Sequence, residues 1–495
     1  LRSAAKVLSG FLGVWLELFS TVLWAQSEPV RQDGGDVPAA HSSQDGAAAS
    51  EGASHDQMLL EEPQRPRYLL EVIRVTGNEK TRGDLIISWL LLKPGEAVEE
   101  EKVEESRVKL LATGYFRDVR MRLEKGSRRG WVALIIEVEE RNTIIIDDIF
   151  FGWSQTDAGW GGLGISDINF LGRGMVLSAA GVGSNRQQAG RLGLFWPSVF
   201  NSRFQAGFST LFVRGEELAL AGRIYSCSDC SDPCKNLGQS DIRLPYWRAG
   251  GEGLFGIRLD RSHRLLITYH GEHIEADVDS LEYCPNHPFK GYLRPGPSTY
   301  SSFKLQFERD TRNDFFFPSS GMLFTVSVEL ASKIFGSDYE FSKYELRYEH
   351  SFPGFADHAW RLSVMGGLIQ DVGERGSPFF TRFFVGDYAF FLIKKDSLPR
   401  NLELNFSPVF DYGDLMASLT AEYDIPLWQS GRFFYRGFVY LAGNFSLVTK
   451  ASFLASDEEW SGRTKRPFSL DAGIKTETPI GLLSFSLGYL LDLSL

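Results

Sequence analysis

From Asn142 to the last residue, the chain is a succession of short segments in which apolar and polar residues alternate, separated by glycine and other turn formers. In residues 322–331, Phe324, Val326, Val328 and Leu330 fall on one parity and Thr325, Ser327 and Glu329 on the other. A period of two sends successive side chains to opposite faces of a strand, so each segment has one apolar and one wet face. The same texture recurs at residues 161–170, 175–183, 204–213, 264–274, 302–309, 339–350, 360–369, 415–423, 433–441, 468–477 and 482–491. Beyond the N-terminus no run reaches the 18 or so uninterrupted apolar residues of a helical membrane span, whereas a barrel strand crosses a bilayer with about 10 alternating ones. The expected fold is therefore mostly β: a transmembrane antiparallel barrel of about 16 strands, from about 350 residues at roughly 20 to 22 per strand and connection. A soluble sandwich array or propeller is the rival, and no blade-length repeat supports it.

Composition agrees with a chain whose surface is aromatic and whose strands are punctuated: 50 Gly, 38 Phe, 17 Tyr and 11 Trp stand against 4 Cys and 6 Met. The net charge of -11 argues against a nucleic-acid binder, which normally presents a basic patch.

Three stretches precede the barrel. Arg2 and Lys6 lie ahead of an apolar run ending near Ala25, the layout of a signal peptide over residues 1–25, although Glu17 and Trp24 depart from it and an amphipathic helix is the alternative. Residues 26–67 are rich in Ser, Gly, Ala, Gln, Asp and Pro and carry too little apolar surface to offset the entropy of ordering, so a disordered linker is expected. Residues 68–141 form a compact unit in the order β-α-α-β-β. A strand around Val72, Ile73 and Val75 breaks at Gly77-Asn78, and a helix runs from Thr81 through Leu85, Ile86, Trp89 and Leu90. A second helix starts near Glu99, and strands follow at residues 116–123 and 131–137.

The compact unit resembles a POTRA domain, on IRVTGNEKT (residues 73–81), LLLKPGEAV (90–98) and LLATGYFRDVRMRLEKG (110–126). The barrel, residues 142–495, resembles that of the bacterial surface antigen family, the BamA and TamA outer-membrane assembly proteins. The residues that carry this are GLGISDINFLGRG (162–174), RDTRNDFFFPSSGMLFTVSVELA (309–331), AEYDIPLW (421–428) and DAGIKTETPIGLLSFSLGYLLD (471–492). The resemblance covers nearly everything after Tyr68 and implies a single-POTRA member. One departure stands out. The family's inward-folded loop carries a Val-Arg-Gly-Phe/Tyr element whose Arg reaches across the lumen, but within residues 382–396 that step is replaced by Ala389-Phe390-Phe391. Arg382, Gly386, Asp387, Tyr388 and Lys394 are the inward-loop candidates.

The resemblance implies a Gram-negative outer-membrane protein, its POTRA domain in the periplasm, that receives unfolded outer-membrane strands and templates their insertion at the barrel seam. Its implied partners are outer-membrane lipid and unfolded barrel clients, with periplasmic accessory lipoproteins or chaperones as further candidates; nucleic acid, metal and cofactor are not implied. The alternatives are a polypeptide exporter or channel of the two-partner type, and a surface antigen retaining only the fold. Client strands would add to exposed edges of the POTRA unit by β-augmentation, with Val72, Ile73 and Val75, and Val132, Leu134 and Ile136, as the candidate edges. Cys227, Cys230, Cys234 and Cys284 lie in loop-like sequence of an exported chain, where disulfides are expected over zinc and the pairing stays open. His270 and His273 fall on opposite faces of one strand and do not readily share a ligand; a solvated interior side chain is the expected reading of His270, with a polar lumen pair with Glu272 as the alternative, and no Ser/His/acid constellation argues for an enzyme.

Overall fold

The computed structural model describes residues 68–152, 159–219, 242–260, 262–276, 293, 296–314, 317–372, 376–384, 412–429, 433–449, 467–478 and 481–492. The expected signal peptide and linker, the four cysteines, and Gly386, Asp387, Tyr388 and Lys394 lie outside the described residues.

The N-terminal unit consists of β1 (Leu69–Thr76), α1 (Gly83–Ser88), α2 (Glu100–Ala112), β2 (Phe116–Lys125) and β3 (Trp131–Glu140). The sheet order is β1-β3-β2, with β1 parallel and β2 antiparallel to β3. A parallel pair needs a crossover, and the two helices supply it. They bury Leu85, Ile86 and Leu110 against Leu70, Leu134 and Ile136. Helix α1 is shorter than expected: the Trp89 N–H turns back to the Ile86 carbonyl at 3.2 Å, which tightens the last turn. Trp89 and Leu90 instead pack beside the core from the segment that follows. Gly77 adopts φ +82°, and a Cβ there would collide with the Val138 carbonyl oxygen, so the turn after β1 requires glycine.

The second sheet contains fifteen strands among the described residues, where about 16 are expected. They are β4 (Ile144–Gly152), β5 (Trp160–Phe170), β6 (Met175–Ser184), β7 (Gln188–Trp196), β8 (Phe204–Ala219), β9 (Ile242–Arg258), β10 (His263–Ala276) and β11 (Gly296–Asp310). Then come β12 (Gly321–Ala331), β13 (Phe341–Pro353), β14 (Ala359–Asp371), β17 (Leu415–Trp428), β18 (Arg436–Thr449), β19 (Pro467–Thr478) and β20 (Gly481–Asp492). Two-residue strands β15 (Phe383–Phe384) and β16 (Tyr412–Gly413) pair with each other between β14 and β17. Each strand of the large sheet pairs antiparallel with its sequence neighbour in that sheet, so the connections alternate between the end nearest the N-terminal unit and the far end, where the longest ones lie. Strands β4 and β20 end the sheet, run in the same direction and approach within 8 Å between Cα atoms; no ladder joins them among the described residues.

The alternation is read out as expected, and it is inverted relative to a water-soluble protein. Leu192, Phe208, Phe255, Leu305, Leu419, Leu441 and Phe485 are exposed on the outer wall, while Arg248, Glu272, Ser302, Asp424 and Lys475 are buried inside. On β12, Val326 and Leu330 face out and Thr325 and Ser327 face in. An apolar outside around a polar inside is the pattern a lipid environment selects.

The N-terminal unit is fastened to the turn between β5 and β6. The Asn169 side-chain amide donates to the Thr81 hydroxyl at 2.8 Å, its carbonyl accepts the Gly174 N–H at 2.8 Å, and the Arg82 N–H donates to the Gly172 carbonyl at 3.0 Å. Asn169 and Thr81 are buried. Gly172, at φ +65°, lets the turn meet the Lys80 carbonyl, which a Cβ would strike. The Glu140 carboxylate accepts the Lys80 and Thr81 N–H groups at 2.9 and 2.6 Å. Burial pushes the Glu140 carboxyl up, but the hydrogen bonds from Thr81 and its neighbours outweigh it and hold the group below the ordinary carboxylate range.

Replacing Asn169→Ala strands the buried Gly174 N–H, at a cost of about 1 to 3 kcal/mol. Amide exchange should quicken at residues 80–82 and 174 and remain slow in β10 to β13. Because Glu140 has a depressed folded-state pKa, its contribution is complete above the ordinary carboxylate range and is lost as pH falls through the depressed value. Melting of the full chain from about pH 7 to 3 should show the N-terminal unit weakening in acid, with Glu140→Gln removing that part of the dependence.

Candidate functional site

Two features of the fold can engage another polypeptide: the edges of the N-terminal sheet and the barrel with its seam. Of the expected edge residues, only β1 lies at an edge. Val132, Leu134 and Ile136 sit on β3, the central strand, hydrogen-bonded to β1 on one side and β2 on the other, and all three are buried. They form the core and offer no edge, which corrects the expectation. On β1, Val72 is exposed while Ile73 and Val75 pack against the core. The start of β1 is covered as well. Leu70 N–H donates to the Glu96 carbonyl at 2.9 Å, Gly95 N–H to the Leu70 carbonyl at 2.7 Å, and Val98 N–H to the Tyr68 carbonyl at 2.8 Å.

The other edge is β2, and among the described residues no strand pairs with its outer side. Its side chains alternate between the core, through Phe116 and Val119, and an exposed charged face. There Arg120 pairs with Asp118 at 2.9 Å and Arg122 with Glu124 at 3.2 Å. Charge along an open edge discourages uncontrolled pairing while leaving the backbone groups available. Apolar content does not mark the edge here: the strand richest in apolar residues, β3, is the one with neighbours on both sides, and the open edge is the charged β2.

The barrel interior is filled in layers. At mid-height, His270 stands between Glu272 at 2.9 Å and Glu252 at 3.3 Å, buried and paired rather than solvated as expected; Arg248 pairs with Glu272 at 3.2 Å and Arg191 with Glu252 at 2.7 Å. Nearer the N-terminal unit, Arg361 meets Glu422 at 2.9 Å and Asp424 at 3.1 Å, and Lys475 meets the same two at 2.5 and 3.5 Å. The Lys475 ammonium also lies 4.1 Å from the Tyr440 ring centre. Toward the far end a packed apolar cluster takes over, joining Val182, Val213, Tyr246, Ile274, Phe341, Ile369, Met416 and Val448 from strands on different sides of the barrel.

Phe379 and Phe383, from the connection after β14, belong to this cluster and are almost fully buried. Residues 376–384 therefore fold into the lumen. Phe379 meets Tyr246 edge-on at 5.3 Å, the Arg248 guanidinium lies 3.8 Å from the Phe380 ring centre, and Lys343 Nζ donates to the Thr381 carbonyl at 3.0 Å. Gly367 makes room for the Phe383 ring, which a Cβ would strike. Arg382, only 6% exposed, donates to the carboxylates of Asp371 and Asp414 and, through Nε, to the Ser377 carbonyl at 3.1 Å. It pins together the end of β14, the inserted segment and the residue before β17. Arg382→Ala should destabilise the barrel by about 2 to 3 kcal/mol, below the usual loss for a fully buried pair because Asp371 is partly exposed. A urea titration followed by the heat-modifiable gel shift reads this, and Arg382→Lys should recover only part, since an ammonium lacks the fork that reaches both acids.

Comparison with known proteins agrees with this architecture. The Omp85 superfamily domain matches residues 169–492, and the surface antigen variable number repeat, or POTRA, matches residues 68–141. The outer membrane protein assembly factor BamA of Nitratidesulfovibrio vulgaris is 25% identical over 446 residues, which cover 86% of this chain but 49% of that protein; the chain thus spans about half the length of this relative. The sorting and assembly machinery component 50 homolog A of Xenopus laevis is 24% identical over 348 residues, 68% of each chain. In fold the chain is similar to BamA from Haemophilus ducreyi lacking POTRA domains 1-3, with a TM-score of 0.56, 16% identity, and coverage of 86% of this chain and 81% of that one. It is similar also to CdiB from Escherichia coli, with a TM-score of 0.55, 14% identity, and coverage of 86% and 73%. With its inside-out β-barrel, single POTRA unit and family match across most of the barrel, the chain belongs to the Omp85 superfamily of outer-membrane proteins.

Proposed function

We propose that this protein is an outer-membrane assembly factor, with its POTRA unit in the periplasm and its barrel spanning the membrane. Unfolded strands of client barrels dock on the open edge of β2 by β-augmentation. They then pass to the seam between β4 and β20, where unpaired backbone groups in a water-poor setting favour strand addition. The likeness to assembly factors on both sides of the bacterial and animal divide supports the reading. The observation that carries it is the filled lumen: with Phe379, Phe383 and Tyr246 packed across the far end, a polypeptide is handled at sheet edges rather than in the bore. Energy comes from the folding of the client, and periplasmic chaperones or lipoproteins deliver it. With Ala389-Phe390-Phe391 in place of the Arg-Gly step, Arg382 is one of the cations, among the described residues, that fix the inserted segment. A two-partner exporter is the second reading, and it requires the Phe379 cluster to leave the lumen.

The test is reconstitution in liposomes with a urea-unfolded barrel client. Client folding should run at least several-fold faster than in protein-free vesicles, and deletion of residues 68–141 should remove the gain. Absence of any acceleration, together with steady single-channel conductance in the intact protein, overturns the reading in favour of export or conduction.

A further inference from the structure

The turn between β11 and β12 does something that a hairpin connection need not do. Strands β13, β14 and β17 separate β12 from β18 around the wall, yet this turn reaches β18 and β19. Asp314 accepts from Arg436 Nη1 at 2.7 Å, and the Phe317 ring stacks on Phe438 with centroids 4.3 Å apart at 23°. The Arg436 guanidinium carbon lies 5.2 Å from the Phe317 ring centre, and Phe317 is only 6% exposed although it belongs to a turn. The turn thus forms a strap along a chord of the barrel mouth nearest the POTRA unit.

The described arms of the strap, residues 311–314 and 317–321, are tied to each other as well. Thr311 N–H donates to the Met322 carbonyl at 2.8 Å and Asn313 N–H to the Ser320 carbonyl at 3.1 Å. The Asn313 side chain donates to the Ser319 hydroxyl at 2.9 Å and accepts the Ser319 and Ser320 N–H groups at 3.0 and 3.1 Å. Gly321, at φ +95°, brings the chain back against the Thr311 carbonyl, where no Cβ fits. A rigid arm of this kind transmits whatever holds its tip.

Arg436 holds that tip, and it holds a second group at the same time. Its Nε and Nη2 donate to Glu477 at 2.7 and 2.6 Å. Glu477 is the register partner of Arg436 on one side and of Leu482 on β20 on the other. Tyr435 N–H donates to the Glu477 carbonyl at 2.8 Å, which binds the foot of β19 further. The planar fork of Arg436 joins two carboxylates that otherwise repel, one on the strap and one at the base of the last hairpin.

We propose that Arg436 is a positioning residue for the seam: by tying Asp314 of the strap to Glu477, it limits how far the foot of the β19–β20 hairpin swings from β4. This rests on the assembly reading only in its consequence for clients; the latch itself is a property of the protein alone. Client strands would enter where β20 moves, so the strap sets the width of the entrance.

The experiment is amide exchange on the full chain in liposomes, comparing the native protein with Asp314→Asn, Arg436→Gln and the double variant, and with Phe317→Leu for the aromatic half of the contact. Exchange at residues 476–483 should rise about tenfold in each charge variant, as expected for a lost charge-assisted hydrogen bond. Exchange in β9 to β11 should be unchanged, and the double variant should be no worse than Arg436→Gln because one latch is broken. Purely additive effects, a general loosening of the barrel, or native exchange at 476–483 would overturn the proposal. Client folding is then followed with the same variants. If the native protein accelerates clients, the loosened variants should shift the entry rate; if it does not, the assembly reading falls while the exchange result still judges the latch.

Discussion

The inward charges of this barrel are answered mostly by one another, because the strand period turns half of all strand side chains to the lumen and the outer wall has taken most of the apolar ones. Water-poor surroundings make an unanswered charge expensive. The residues of β13 show the solution in one strand: Lys343, Glu345, Arg347 and Glu349 occupy successive inward positions with alternating sign. Lys343 reaches the inserted segment through the Thr381 carbonyl, Glu345 meets Lys304 on β11 at 2.9 Å, and Glu349 meets Arg312 in the strap at 3.6 Å. Strand, plug and strap are therefore held by one electrostatic scheme running along the wall.

That scheme explains how the molecule combines a rigid body with edges that remain available. Some ion pairs inside the barrel link strands two positions apart in the sheet, as Lys475 on β19 does with Glu422 and Asp424 on β17. Such links stiffen the wall without involving the backbone groups at its two ends. The POTRA unit follows the same division. Its core and its joint to the β5–β6 turn are fully engaged through Thr81, Asn169 and Gly172, while β2 keeps one side open. The joint fixes the position of that open edge relative to the barrel.

Much of this was legible in the sequence, for a definite reason. A period of two over most of the chain, as in Phe324 to Leu330, leaves few folds open, and the order of elements in residues 68–141 followed from turns and apolar spacing. The edge assignment failed because strand order in a sheet is not chain order. The signal was nonetheless present: residues 132–136 are five consecutive apolar residues, the mark of a strand buried on both faces rather than of an edge. The alternating charges of β13 were equally readable as an inward row. The joint, the strap and the double grip of Arg436 were not, because each depends on which distant residues the closed sheet brings together.

Arg382 and Arg436 illustrate how the same side chain serves opposite ends of one barrel. Each uses a guanidinium fork to join two carboxylates from separate elements, Asp371 with Asp414 at the far end and Asp314 with Glu477 at the other. Arg382 is almost wholly buried and fixes a segment inside the lumen, where release would leave the guanidinium itself in a poorly solvating interior. Arg436 is about one-third exposed, so water can solvate its guanidinium when the contact opens. The physical difference is in the penalty for separation: the far end is built to stay filled, whereas the end beside the POTRA unit is held by a contact that can be broken and remade at modest expense.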